Sequence, residues 1–306
     1  MINGIMRGLG NSRTPLIILI ITSITNVVLT LMFVLVFNWG IAGSAYGTIL
    51  SQFLSMVLII IALHRANPLT RISLKELKLN AFSAKEVLKL GMPTGIQQVV
   101  MSISGVVIQG FVNSYGTVNI AGYGAASKVD MFAFMPIMSF GHAMTSYTGQ
   151  NVGAGNMERV RKGANQGVVL GLVVIAVMSA LLLTLGRYAL MLFTDDVQTI
   201  EAGYTMIRTV VPFYSLVTLN QLICGVMRGV GETVKPMINA LMTSLIVRIP
   251  TVILLNYLLG RIEGIYISQV IGWAYGCISI LLIYRKGGWK KKALEKIKSL
   301  HAGEAM

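Results

Sequence analysis

Four charged side chains lie within otherwise apolar stretches of this chain, where ion or ligand binding is the chemistry open to them. They are Lys128, Asp130, Arg208 and Arg248. A charge at mid-membrane costs roughly 2.5–3.5 kcal/mol on insertion scales, so such residues pair with a partner or line a polar cavity. Lys128 and Asp130 are two positions apart, hence on different faces of a helix, and cannot simply neutralise each other. A structural ion pair and a cavity-lining role both remain open, and Arg208 is expected to extend outward from its helix end.

Signatures of enzymes and of metal sites are absent from the sequence. No Gly-Lys dipeptide occurs, which excludes a Walker A phosphate loop, and no HExxH, CxxC or GxSxG motif is present. The three histidines are scattered, and Cys224 and Cys277 are too few and too far apart for a disulfide framework or a zinc site. We therefore predict no catalytic residue, no metal and no cofactor.

The elements that must position the charged residues are membrane-spanning helices. Of the 306 residues 55% are hydrophobic and 12% are charged, and the mean hydropathy is +0.73, which excludes a water-soluble globular domain. A spanning helix needs about 20 mostly apolar residues. This length predicts an all-α membrane protein with about eight spans, at 15–37, 43–63, 92–114, 120–146, 165–185, 204–227, 236–259 and 262–284.

The basic residues predict the orientation of these spans, because Lys and Arg collect in cytoplasmic loops. With the N-terminus inside, the inside segments hold 20 of the 25 basic residues and the outside loops hold two. Both termini are therefore expected in the cytoplasm of a multi-pass cell-membrane protein. The segments 72–90 and 289–300 alternate Lys with apolar residues at helical spacing, which predicts amphipathic helices on anionic lipid rather than contacts with nucleic acid.

An internal repeat occurs at an offset of 221 residues. Residues 4–15 read GIMRGLGNSRTP and residues 225–236 read GVMRGVGETVKP. The glycines and the proline predict a helix end, a tight turn and a new helix start. The identical positions that we assign to this turn and to gating contacts are Arg7, Gly8 and Gly10 in the first copy and Arg228, Gly229 and Gly231 in the second. The alternative to a gating role is that these residues only form a turn between two helices and carry cytoplasmic positive charge. A shift of six helices between the copies predicts parallel repeats.

The duplicated motif resembles that of the multidrug and toxic compound extrusion (MATE) family. Further matching residues are Asn26-Val-Val-Leu, Gly40-Ile-Ala-Gly43, Ala125-Ala-Ser-Lys128 and the segment Gln150-Asn151-Val152-Gly153-Ala154-Gly155. The resemblance implies a twelve-helix, two-lobed transporter that exports organic, often cationic, compounds in exchange for H⁺ or Na⁺. This chain would supply helices five to twelve, as the product of a truncated gene or an alternative start. It would comprise two N-lobe helices at 1–64, an amphipathic linker at 65–91, a six-helix C-lobe at 92–284 and a basic tail at 285–306.

The resemblance also implies which residues form the ion and substrate pathway. Many members carry an aspartate four residues after the asparagine that corresponds to Asn26, and this chain has Thr30 at that position. The resemblance therefore does not decide whether the coupling ion is H⁺ or Na⁺. The pathway residues we predict are Asn26, Thr30, Gln97, Gln98, Lys128, Asp130 and Arg248, and the further turn residues are Gln150, Asn151 and Gly153.

The leading hypothesis is secondary active multidrug efflux by H⁺ or Na⁺ antiport, with small organic, cationic substrates and lipid as partners and no partner protein. A lipid-linked saccharide exporter of the same superfamily is one alternative, which a cleft lined with many cations would favour. The other is a membrane enzyme or a non-transporting, truncated membrane protein, and a buried His/Asp/Glu cluster would favour the enzyme.

Overall fold

A computed structural model describes residues 2–66 and 80–304, and every regular element in those residues is helical. Helices predominate because long apolar segments must satisfy their backbone hydrogen bonds internally. The helices are α1 (Ile2–Gly8), α2 (Arg13–Leu31), α3 (Gly40–Ala66), α4 (Ala81–Asn113), α5 (Thr117–Gly153), α6 (Met157–Met191), α7 (Val197–Val210), α8 (Tyr214–Gly229), α9 (Val234–Leu241), α10 (Ile249–Leu259), α11 (Glu263–Arg285) and α12 (Gly288–Glu304). A π-helix, Met32–Val36, continues α2, and a second, Met242–Arg248, joins α9 to α10.

Seven helical segments in the described residues are long and apolar enough to cross a membrane, which confirms an all-helical, multi-pass membrane protein. They are Arg13–Val36, Gly40–Arg65, Ser83–Asn113, Met157–Met191, Val197–Gly229, Val234–Leu259 and Glu263–Arg285. The remaining predicted span, 120–146, falls on α5, which has the length but is not among these apolar segments. Because α5 packs against α6, α7 and α8, many of its small side chains face protein, and such a helix does not need an apolar surface all round.

The chain divides into two compact units, Met1–Ala81 and Phe82–Met306, which we call the first and second units. In the first unit α2 packs against α3, where a Cβ atom added at Gly43 would lie 3.0 Å from the backbone of Phe33. Residues 67–79 of the predicted linker lie outside the described residues. From Ala81 onward the linker is the start of α4, which runs without interruption into the next predicted span.

The second unit is built around α5, with glycines at its closest helix contacts. A Cβ atom at Gly122 would lie 2.8 Å from the backbone nitrogen of Gly203 on α7, and one at Gly225 on α8 would lie 2.5 Å from the carbonyl oxygen of Gly141. Small residues allow helix backbones to approach this closely in lipid. A buried cluster that includes Tyr214 and residues of α5, α7 and α11 fills the space between these helices.

The predicted tail forms α12, which packs on α5 and α11. Trp289 is buried at 2% exposure, stacks on Tyr284 at 4.8 Å, and donates its Nε1–H to the Tyr284 carbonyl at 3.0 Å. The Lys292 ammonium lies 3.4 Å from the Glu232 carboxylate in the turn after α8. The tail is therefore anchored to the second unit by its first two turns.

Candidate functional site

A cavity of about 110 Å³ opens between helices of the second unit, and we call it the Arg248 cavity. Its walls come from α4, α8, α9, the second π-helix and α11. The lining residues are Gln97, Met101, Val217, Asn220, Gln221, Asn239, Ala240, Thr243, Ser244, Arg248, Gln269, Gly272, Trp273 and Gly276. Polar amides and hydroxyls alternate with apolar groups, which is the make-up of a small-molecule site rather than of a helix-packing core.

The Arg248 side chain dominates the electrostatics of this cavity. Its Nη2 donates to the Gln269 Oε1 at 2.9 Å, whereas its Nε is fully buried and has no hydrogen-bond partner among the described residues. No carboxylate in the described part of the chain lies within ion-pair distance of it. Arg stays protonated at any relevant pH. The cavity therefore carries a positive charge that only a neutral amide partners.

Two glycines on α11 explain why polar groups from different helices converge here. A Cβ atom at Gly276 would lie 2.8 Å from Thr243 Oγ1 and 3.0 Å from Asn220 Nδ2, and one at Gly272 would lie 3.5 Å from Arg248 Cβ. A larger residue at 276 would thus push the π-helix and α8 away from α11. The Thr243 hydroxyl is itself buried and has no hydrogen-bond partner among the described residues.

Local sequence explains the widened turn that carries Thr243 and Arg248. Pro250 is the second residue after the π-helix and has no N–H to donate to the carbonyl of Ile246. Loss of that bond favours the wider π spacing, and π segments are frequent at functional sites. The sequence predicts Arg248 as a charged residue within a span, but not the π-helix around it.

The first unit has its own crevice between α2 and α3, lined entirely by uncharged residues. They are Leu19, Thr22, Ser23, Asn26, Val27, Thr48, Ser51, Gln52 and Ser55. Asn26 Nδ2 donates to Ser51 Oγ at 3.1 Å and approaches Thr48 Oγ1 at 3.4 Å, so the predicted pathway asparagine bridges the two helices. We call this the Asn26 crevice.

The two sites are related by the internal repeat. Adding the repeat offset to eight of the nine crevice residues yields residues of the Arg248 cavity. The pairs are Leu19 and Ala240, Thr22 and Thr243, Ser23 and Ser244, Val27 and Arg248, Thr48 and Gln269, Ser51 and Gly272, Gln52 and Trp273, and Ser55 and Gly276. The same helix pair thus forms a polar depression in each unit. A comparison of the two sequence copies shows three of these pairs as polar in both, namely Thr22 and Thr243, Ser23 and Ser244, and Thr48 and Gln269.

Of the other predicted pathway residues, only Gln97 lines one of these two sites. Gln97 lines the Arg248 cavity, but its neighbour Gln98 is exposed, because adjacent helix positions point in different directions. Thr30 packs against Gly47, whose added Cβ would lie 2.8 Å from the Thr30 Oγ1. Thr30 therefore supports α2–α3 packing and does not line the Asn26 crevice.

The two charges of α5 do not pair with each other. The Lys128 ammonium is exposed and lies 5.3 Å from the centroid of the Phe193 ring. The Asp130 carboxylate is half-buried and forms no ion pair with any described residue. Neither side chain lines the Arg248 cavity.

Both copies of the repeated motif form a helix-ending turn, and their gating role stays a prediction. Gly10 and Gly231 have φ angles of 86° and 87°, and each donates to an arginine carbonyl three residues back, that of Arg7 at 3.1 Å and that of Arg228 at 2.9 Å. In each copy the residue after the glycine donates a second bond, Asn11 to the Met6 carbonyl and Glu232 to the Met227 carbonyl. The two copies therefore form equivalent helix-terminating turns. Gly8 and Gly229 differ, because an added Cβ would meet Thr148 at 2.5 Å only in the second copy.

The same turn occurs a third time, after α5. Gly155 has φ 71°, and the next residue donates its N–H to the Asn151 carbonyl at 2.8 Å. The Asn151 side chain is buried and donates to the Tyr147 carbonyl at 2.8 Å, whereas Gln150 and Gly153 are exposed at the helix end. Asn151 therefore has a structural role in this turn.

Comparisons with known proteins agree with this architecture. The MatE family model matches residues 93–254, more than half of the chain. The chain is 30% identical over 295 residues to the probable multidrug resistance protein YpnP of Bacillus subtilis, covering 96% of this chain and 65% of that protein. It is 26% identical to the probable multidrug resistance protein NorM of Thermotoga maritima, covering 97% and 66%. The chain thus spans about 65% of the length of these relatives.

A solved structure has the same fold. It is the outward-facing conformation of a multidrug resistance MATE family transporter of the MOP superfamily, which superimposes with a TM-score of 0.85 at 23% identity and covers 98% of this chain and 66% of that one. The family-model match, the helical architecture and the repeated turn motifs agree, and the chain belongs to the MatE family.

Proposed function

We propose that this protein exports small organic compounds across the cell membrane by secondary active transport. The observation that carries the proposal is the pair of repeat-related polar depressions, one in each unit, within a chain that is otherwise apolar and helical. Transporter repeats characteristically form their substrate sites from equivalent helices. The names of the relatives, multidrug resistance proteins, support small-molecule export.

We infer the finer architecture from the repeat and from the distribution of the basic residues. We assign α2 and α3 to helices five and six of a twelve-helix plan, α5 to a span, and residues 92–284 to a six-helix lobe, with both termini in the cytoplasm. The matched lengths of the relatives support this plan. Reading the coding sequence on the 5′ side of Met1 tests it. Four further apolar spans in frame would support the assignment, and an upstream region without them would contradict it.

We infer that Asp130 carries the coupling ion, H⁺ or Na⁺. It is half-buried within α5 and makes no ion pair among the described residues, so its negative charge is available to a cation. Cation binding would shift the inward/outward equilibrium by its differential affinity for the two states. Of the two depressions, an organic cation would bind in the neutral Asn26 crevice, because the charge of Arg248 opposes it in the other.

Ethidium efflux from proteoliposomes under an imposed H⁺ or Na⁺ gradient tests the transport and the coupling. We expect the unmodified protein to move ethidium under one gradient, and Asp130→Asn to abolish that dependence. Asp195→Asn is the matched control, because Asp195 is exposed and lies outside the spans. Ethidium movement that depends on neither gradient would contradict secondary active transport. Gradient-driven ethidium movement by the Asp130→Asn variant would contradict the role of Asp130.

The saccharide-exporter alternative gains no support from the cavity. Of the three basic residues predicted within spans, only Arg248 lines it, while Lys128 lies against Phe193 and Arg208 is exposed. The described residues also contain no cluster of three or more His, Cys, Asp or Glu side chains that could hold a metal, so nothing in them favours a metal-dependent membrane enzyme.

A further inference from the structure

The Arg248 guanidinium is incompletely satisfied within the second unit. One nitrogen donates to the Gln269 amide, and the buried Nε donates to no described residue. A buried cation without a counter-ion is unfavourable, and proteins normally supply it with a carboxylate. Here the described residues supply none within ion-pair distance. The unmet donor lies beside a cavity large enough for about three to four water molecules.

The first unit provides an internal reference for what the fold requires at this position. The residue equivalent to Arg248 is Val27, and the residue equivalent to Gln269 is Thr48. The same α2–α3 arrangement therefore forms around an apolar side chain, and helix packing does not require the arginine. The charge and its amide partner are specific to the second copy, which argues for a ligand rather than for a structural bond.

We propose that the Arg248 cavity binds the carboxylate group of a small organic anion. A guanidinium presents its donors in a planar fork that matches carboxylate geometry, and the free Nε is one of those donors. The Thr243 hydroxyl and the Asn220 amide add neutral donors on the same wall. Trp273, held by edge-on contacts with Tyr214, and Met101 supply an apolar wall for the rest of the molecule.

A purely structural arginine is the competing interpretation. It would account for the Gln269 bond but not for the buried, unpartnered Nε or for the valine in the first copy. The proposal that the Arg248 cavity binds a carboxylate does not depend on transport. The proposal that the bound anion is a transported substrate rests on the proposed function, so binding and transport are measured separately.

Equilibrium binding of radiolabelled benzoate to the purified chain in detergent tests the site. Benzamidinium, which has nearly the same shape and the opposite charge, is the competing probe. We expect benzoate to bind, benzamidinium not to compete, and Arg248→Gln to weaken benzoate binding roughly 10- to 100-fold, the value of charge-assisted hydrogen bonds. Arg248→Lys keeps the charge without the fork and should lie between the two. Arg208→Gln removes the same charge at an exposed position and is the matched control.

Equal weakening by Arg208→Gln and Arg248→Gln would overturn the proposal, because it would mean that the net charge of the protein attracts the probe. Competition by benzamidinium at the same concentration, or no benzoate binding to the unmodified chain, would overturn it as well. If Arg248→Gln fails to fold, competition between benzoate and benzamidinium on the unmodified chain still tests the proposal. Failure of ethidium efflux with intact benzoate binding would count against the proposed function alone.

Discussion

Replacing Gly225 by alanine should separate α5 from α8 and destabilise the second unit. The added Cβ would lie 2.5 Å from the Gly141 carbonyl oxygen and 3.0 Å from the Met144 Cβ. Ordinary contact begins at 3.4 Å, so the helices must move apart by roughly 0.9 Å at this point. Because a backbone carbonyl cannot rotate away, the steric cost falls in the upper part of the overpacking range of about 1–3 kcal/mol.

Alanine also has a higher helix propensity than glycine, which offsets about 0.5–1 kcal/mol of that cost. We therefore expect Gly225→Ala to lower the free energy of unfolding by about 1–2 kcal/mol. Gly124→Ala in α5 is the control for propensity, since no described atom lies within 4 Å of its added Cβ, and it should stabilise by about 0.5–1 kcal/mol. Gly141→Ala tests the same helix contact from the other side, where the nearest atom is 3.4 Å away, and should be tolerated.

Titration with sodium dodecyl sulfate in mixed micelles, followed by near-ultraviolet circular dichroism, measures these differences. The three variants should be ordered with Gly124→Ala the most stable and Gly225→Ala the least. A Gly225→Ala protein that unfolds at the same detergent fraction as Gly124→Ala would refute the close-approach argument. So would equal losses for Gly225→Ala and Gly141→Ala, because the structure makes the contact asymmetric.

Three further predictions concern single contacts. Asp196 caps α7, and the hydrogen bonds from the Thr199 hydroxyl and backbone N–H hold the pKa of its carboxyl below the usual value. Its stabilisation is therefore present above the unfolded-state pKa of about 4 and is lost as the pH falls through the folded-state pKa, so unfolding curves of Asp196→Asn and the unmodified protein should differ at pH 7 and converge in acid. Trp289→Ala removes a buried ring from Tyr284 and should release α12, which faster tryptic cleavage of the tail would reveal, whereas Trp289→Phe should retain the stacking. Asn26→Ala breaks the only amide bridge observed in the Asn26 crevice of the described first unit and should cost about 0.5–1.5 kcal/mol in the same detergent titration, with an unchanged midpoint contradicting the bridge.

Local features were predictable because they depend on residues close together in the chain. The helix-ending turns at Gly10 and Gly231 follow from a glycine at positive φ before a proline-initiated helix, and both copies adopt them. The spans follow from the length of the apolar segments. The span assigned to α5 shows the limit of that approach, because a helix packed against three others can carry Lys128 and Asp130 without being apolar overall.

The candidate site was only partly predictable. Gln97 and Arg248 are predicted from the sequence as polar groups inside spans. Gln98 has the same prediction as Gln97, and only the orientation of α4 shows that Gln97 lines the cavity while Gln98 is exposed. The structure places Thr30 against Gly47 at the α2–α3 contact, which the sequence did not predict, and its pathway role stays a prediction. Asn220, Gln269 and Arg248 line one cavity because Gly272 and Gly276 let the π-helix and α8 pack closely on α11.

The sequence alone determined that the chain is helical, membrane-spanning and internally repeated, because hydropathy and glycine–proline turns act over a few residues. That its basic residues face the cytoplasm stays a prediction. Only the tertiary structure decided that the two copies form equivalent depressions between equivalent helices, and that one is neutral while the other holds a half-buried arginine. Side chains more than a hundred residues apart, such as those of Gln97 and Arg248, meet only after helices pack, and that packing depends on shapes that no single segment contains.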